Sequence, residues 1–240
     1  MSILDDLQED TDITGEETDS LGGGYLLESG IYNMTVQMAY LDVSKNGAKC
    51  VKLEFKDKDG NTLRDTIYFT NRKGEHFYVK DGNKHFNPGY NKVNSMANVM
   101  LGKSFRQLKS EPKTVMIYDW NSKSEVPTEK DVLMDLINQP VKVGVMQVVE
   151  DKNIQNSEKV YVPSGETRAF NQADKFFGAK DSLTSTEKAA NLTAPDFINK
   201  WKEKFAGGIQ DKSTGVRHAS LGESSGSATA SSPTPDDLFE

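Results

Sequence analysis

The sequence predicts a mainly β fold: a small five-stranded barrel with short flanking helices, set between acidic ends expected to be disordered. Three observations lead there. Apolar and polar residues alternate at period two through residues 30–72, the pattern of half-buried strands. Asp57 to Asn61, DKDGN, interrupts that alternation with a hairpin turn, because Asp-Gly and Gly-Asn tolerate positive φ. Composition also shifts at both ends, acidic before residue 25 and rich in Ser, Gly, Thr and Pro after residue 209.

Residues 1–24 end in Gly22-Gly23-Gly24 and hold too little apolar surface to offset the entropy of ordering, so they are expected to be disordered. Tyr32, Met34, Val36, Met38 and Tyr40 then form one face of a first strand. Val51, Leu53 and Phe55 alternate with Lys52, Glu54 and Lys56 in a second, and Leu63 to Thr70 form a third. Residues 73–92 break the pattern. Val93, Met96, Val99 and Met100 have helical spacing over 91–102, with Gly102 as the stop. Lys113 to Trp120 is a fourth strand, and Thr128 to Ile137 a short amphipathic helix with Thr128 as cap. Val141 to Val149 is a fifth strand, and Lys159 to Val162 a candidate sixth. Thr193 to Phe205 is a helix capped by Thr193, with an apolar stripe of Phe197, Ile198, Trp201 and Phe205 and a Gly207-Gly208 stop. The expected organisation is a core over 25–165, a helical extension over 166–208 and a flexible tail over 209–240. Five strands with a helix between the third and fourth match an OB-like barrel, the commonest plan of this kind; another antiparallel β fold with flanking helices is the alternative.

Little in the chain points to catalysis. It has no Walker phosphate loop, dinucleotide fingerprint, HExxH, GxSxG or EF-hand loop. Cys50 is the single cysteine, which leaves no intramolecular disulfide and no cysteine-based zinc cage within one chain. His76 and His85 are expected to be loop histidines, and turn chemistry accounts for Asp57 and Asp59. The expectation is a non-enzyme with no cofactor and no metal. No run of residues is apolar enough to span a bilayer, and MSILDDLQED lacks the features of a secretory signal, so a cytoplasmic location is expected.

Charge is unevenly distributed. The net charge is −7, yet residues 41–125 hold sixteen Lys/Arg against ten Asp/Glu, a net of +6, while residues 1–30 hold nine Asp/Glu and no Lys/Arg. A phosphate backbone responds to the local field, because screening limits its reach to ~8 Å at physiological salt. Within the basic middle, residues 68–92 interleave Tyr68, Phe77, Tyr78, Phe86 and Tyr90 with Arg72, Lys73, Lys80, Lys84 and Lys92. That mixture suits single-stranded nucleic acid, whose unpaired bases stack on rings while cations follow the phosphates. Tyr118 and Trp120, on one face of the fourth strand, are further stacking candidates. No basic helix for a major groove is visible. The ends carry ILDDL and PDDLFE, acidic hooks with apolar tips suited to protein partners; Asp236, Asp237, Leu238 and Phe239 are the candidate contacts.

Together, the barrel-like core, the basic aromatic middle and the acidic tail ending in Phe resemble the single-stranded DNA-binding proteins of tailed bacteriophages. The tail also resembles that of bacterial single-stranded DNA-binding proteins, with Asp236, Asp237 and Phe239 matching and Glu240 departing from a terminal Phe. The resemblance implies replication, recombination and repair of phage DNA in the infected bacterial cytoplasm, with little sequence preference. It also implies recruitment of a polymerase, helicase or nuclease through the tail, and leaves room for a homo-oligomer. The alternative is a protein–protein adaptor or host-takeover factor, also compatible with a role in transcription, with little DNA affinity of its own.

Overall fold

A computed structural model describes residues 26–119, 122–155 and 160–214. The fold is mainly β. Its first three strands are β1 (Gly30–Val43), β2 (Lys49–Asp57) and β3 (Thr62–Tyr68), joined as an antiparallel meander. The Asp57 turn forms as its sequence requires: its carboxylate accepts the N–H groups of Asp59 at 2.9 Å and Asn61 at 2.8 Å, and Gly60 takes φ +89°.

A short hairpin follows, β4 (Phe77–Lys80) with β5 (Asn83–Phe86), a separate two-stranded sheet within the stretch where the strand pattern breaks. It runs directly into α1 (Pro88–Leu101). The helix starts earlier than residue 91 because Pro88 is suited to a first turn, and Gly102 ends it at φ +67°. Val93, Met96, Ala97 and Val99 are its buried stripe.

Next comes a long hairpin, β6 (Ser110–Asp119) with β7 (Ser124–Leu133), paired through ten registers. This corrects the helix expected over Thr128 to Ile137. Val126, Thr128, Lys130 and Val132 turn to one side and Pro127, Glu129 and Asp131 to the other, and the ladder to β6 prevails over helical spacing. Only a 3₁₀ turn, Met134–Leu136, follows.

β8 (Pro140–Gln155) and β9 (Tyr161–Gly178) form the longest hairpin. Of the candidate sixth strand over Lys159 to Val162, Tyr161 and Val162 open an eighteen-residue strand, and Lys159 lies outside the described residues. It follows that residues 166–178, expected to open a helical extension, are β-structure, and the β core runs to residue 178 rather than 165. The helices beyond it are α2 (Ser185–Ala189) and α3 (Phe197–Phe205). The N-cap position of α3 is Asp196, not Thr193, and the Asp196 and Phe197 N–H groups there are accepted by Glu187. The tail's first residues are also ordered: β10 (Ile209–Asp211) pairs in parallel with β8.

β1 is the centre of the sheet. One edge pairs with β2; the other pairs with β8 through Gly30–Thr35 and with β7 at Tyr40↔Val132. The single face expected for β1 breaks at a bulge between Val36 and Met38. Met34 and Val36 point inward, and beyond the bulge Ala39 is buried while Tyr40 turns to the outer face.

The main core collects β1, β2, β3, β8 and β9 around α1, with Phe55 and Phe176 at 5.9 Å between ring centres. A second core packs α3 on the other side of β8 and β9 through Met146, Val148, Phe177, Ile198 and Trp201. Trp201 lies over Gly144, where a Cβ would come within 3.0 Å of the indole, and its Nε1 donates to Asp174 at 2.7 Å. The apolar stripe of α3 is therefore mainly core, with Phe197 left 39% exposed.

Candidate nucleic-acid interface

Two hairpins stand at the outer face of β1–β3. The smaller, β4–β5, is fixed at its base. Asn87 is buried, its side chain donating to the Glu75 carbonyl at 3.0 Å and its N–H to the His76 carbonyl at 2.9 Å. Gly89 brings the first turn of α1 against the Tyr68 carbonyl, where a Cβ would lie 1.7 Å from that oxygen. The end of β3, the hairpin and α1 are thereby held in one arrangement.

The hairpin register pairs Phe77 with Phe86 and Tyr78 with His85. Tyr78 and His85 stack at 5.5 Å with 28° between planes. Lys84 lies over the Phe77 ring at 4.5 Å. Phe86 is 52% exposed and rests on His76 and Tyr90 at 5.7 and 4.8 Å. Tyr68, 46% exposed, stands at the end of β3 beside this group. Arg72 and Lys73 are exposed in the turn that Asn71 organises, its Oδ1 accepting the N–H groups of Lys73 at 3.0 Å and Glu75 at 2.9 Å. Lys80 is exposed at the hairpin tip. Among the described residues Arg72, Lys73, Lys80 and Lys84 take part in no ion pair.

Two candidates do not belong to this surface. Tyr90 is 5% exposed and sits in the core under Phe86, near Phe105. Lys92 turns inward and donates to the Ala173 carbonyl at 2.8 Å. Burial lowers its pKa, with Asp65 and Asp174 opposing that shift. A cation engaged this way cannot follow a phosphate. Tyr118, 47% exposed, is on β6, in the other hairpin. Trp120, Asp236, Asp237, Leu238 and Phe239 lie outside the described residues.

The longer β6–β7 arm has a different electrostatic character. Its register places Lys130 beside Asp42, and Asp42 binds two lysines, Lys130 at 2.7 Å and Lys52 at 2.9 Å. Burial would raise the Asp42 pKa, but hydrogen bonds from Lys130 and Lys52 outweigh it and hold the carboxyl below its ordinary value. Three observations place the arm over the outer face of β1–β3. Cys50 shares that face with Asp42 and Tyr68, yet is 1% exposed. Val115 and Val132, on the same side of the arm as Lys130, are buried. Glu125, near the arm's end, is close enough to Arg64 on β3 to act with Glu54 in raising its pKa. Burial raises the Cys50 thiol pKa, which disfavours the reactive thiolate.

Sequence reasoning missed Tyr40, Lys52 and Lys130, because the cluster depends on the β1 bulge and on a ladder in place of a helix. It also missed the β8–β9 hairpin, where Asp151, Lys152, Asn153, Tyr161 and Arg168 line an open depression and Tyr161 is 70% exposed. Lys152 and Arg168 are engaged there by Glu166 and Glu150. Among the described residues no group of three or more His, Cys, Asp or Glu could hold a metal ion, and no helix is long and apolar enough to cross a membrane. No family model and no curated protein matches the chain.

Proposed function

We propose that this chain is a non-catalytic single-stranded DNA-binding protein that coats DNA with little sequence preference, acting in phage DNA replication, recombination and repair. The observation that carries this reading is the β4–β5 hairpin and its base, where exposed or half-exposed rings stand among four cations that take part in no ion pair among the described residues. Rings offer sequence-tolerant stacking, and uncommitted cations are available to phosphates. In this reading Tyr68, Phe77, Tyr78 and Phe86, joined by His85, contact bases, and Arg72, Lys73, Lys80 and Lys84 contact phosphates. Tyr118 and Trp120 are a secondary set.

An OB-like barrel is part of the proposal. Going round the core, the order is β3-β2-β1-β8-β9, with α1 between β3 and β8 in sequence. β3 and β9 then meet through a side-chain hydrogen bond from the Ala173 N–H to Asp65 at 3.0 Å rather than through a ladder. Five strands joined only partly round the core fit the partly open, five-stranded plan of an OB barrel. The acidic tail, through Asp236, Asp237, Leu238 and Phe239, would recruit a polymerase, helicase or nuclease.

The test is titration of labelled oligo-dT, followed by anisotropy and by intrinsic Tyr/Trp fluorescence at ~50 and ~200 mM salt, a range over which phosphate-dependent binding weakens markedly. The expected result is binding that quenches fluorescence and weakens with salt. Absence of binding at both salts would remove the reading and favour a protein–protein adaptor.

A further inference from the structure

Among the described residues the cations of the proposed hairpin site hold no carboxylate, whereas Lys52 and Lys130 under the arm both hold one. They come from opposite sides of β1, Lys52 from β2 and Lys130 from β7, and each takes a different oxygen of Asp42. Two ammonium groups brought together like this repel each other unless an anion lies between them. A phosphodiester offers the same element, two non-bridging oxygens sharing one negative charge. Half-exposed rings and a path to the hairpin adjoin the pair. Lys52 lies 5.9 Å from the centre of the Tyr40 ring, and the cross-strand row Lys130–Asp42–Cys50–Tyr68 ends at the base of β4–β5.

We infer that Asp42 occupies the place of a nucleic-acid phosphate on Lys52 and Lys130, and that a phosphodiester exchanging for it releases the β6–β7 arm from the sheet face. The inference rests on the nucleic-acid reading above. The exchange is feasible because the lysine side chains remain 38% and 23% exposed. A strand already held by Lys80 and Lys84 presents its next phosphates at high effective concentration. At the other end of the same arm Arg64 would lose the nearby Glu125 charge while keeping its pair with Glu54 at 2.7 Å.

Cys50 reports on this directly, being the only cysteine, facing the arm and buried. The experiment measures the rate of maleimide modification of Cys50 in the full chain, with and without saturating oligo-dT, alongside oligo-dT affinity at several salt concentrations. In the wild type, oligo-dT is expected to accelerate modification. Asp42→Asn should accelerate it without DNA, tighten oligo-dT binding several-fold at low salt, and steepen the salt slope by ~0.7, the value for one more phosphate on a single strand. Lys130→Gln should accelerate modification with no gain in affinity, since it releases the arm but removes a cation. Circular dichroism checks that both variants fold, and the wild-type comparison needs neither. Tight wild-type binding with Cys50 protection unchanged or increased would overturn the exchange while leaving the DNA reading intact; so would an Asp42→Asn variant no different from wild type. No oligo-dT binding by the wild type would remove the DNA reading and the exchange with it.

Discussion

The Asp65 carboxylate accepts the backbone N–H of Ala173 at 3.0 Å, joining β3 to β9 where no strand ladder does. Lys92 reaches the same residue from α1, donating to the Ala173 carbonyl. Both groups are disfavoured by burial, which raises the Asp65 pKa and lowers that of Lys92, and each partly compensates the other. Asp65→Ala is expected to lower stability by about 2 kcal/mol, the scale for losing a hydrogen bond to a charged group. Asp65→Asn, which keeps an acceptor, should cost less. Urea denaturation monitored by circular dichroism measures both.

Lys84 and Lys92 provide a matched pair. Lys84→Ala should weaken oligo-dT binding and reduce the salt slope by ~0.7, one phosphate contact, while leaving the melting temperature unchanged. Lys92→Met should alter stability and leave the salt slope as it is. Anisotropy titrations over a salt series, paired with thermal melts, separate the two.

The aromatic residues divide in the same way. Tyr78→Ala and Phe86→Ala should each cost ~1–3 kcal/mol of binding free energy. Tyr90→Ala should instead destabilise the fold by ~3–5 kcal/mol, because it empties a buried site. Equal stability losses at Tyr78 and Tyr90 would show that the hairpin rings are only packing.

Glu187 links the two C-terminal helices. Its carboxylate accepts the N–H groups of Thr184 at 2.8 Å, Asp196 at 2.9 Å and Phe197 at 2.8 Å. Burial would raise its pKa, but these backbone donors prevail and lower it from 4.5. The folded state thus binds the Glu187 proton less readily than the unfolded chain does. Its contribution to stability is present above pH ~4.5 and lost as pH falls through the lowered value. Glu187→Gln should lose roughly 1–2 kcal/mol at pH 7 and flatten the acid limb of the stability profile. Urea midpoints between pH 3 and 7 provide the check.

Much of the fold was legible because strand alternation and turn chemistry are local. The β1–β2–β3 meander, the DKDGN turn, the buried face of α1 and the β8 segment all follow from neighbouring residues. The misread parts depended on distant partners. Thr128 to Ile137 has helical spacing, and only the ladder to β6 decides against it. Residues 166–178 lack a clean alternation because β9 is exposed near its start and buried only where it meets the core. At the site, the cations and rings of 68–92 could be identified by type, but their orientation could not. Tyr90 and Lys92 sit on α1 facing the core, while Tyr78 and Lys84, a few residues earlier, are on the β4–β5 hairpin.

The central position of β1 also governs when the chain can fold during synthesis. Gly30 pairs with Val145, and β8 in turn pairs with β9 as far as Gly178. A ribosome that has released only β1, β2 and β3 has made a meander with one apolar face and no partner for it. Closing so long a loop is entropically costly and slow. Until β8 and β9 emerge, that face is open to chaperones or to aggregation, and the nascent chain cannot complete its core before residue 178 leaves the exit tunnel.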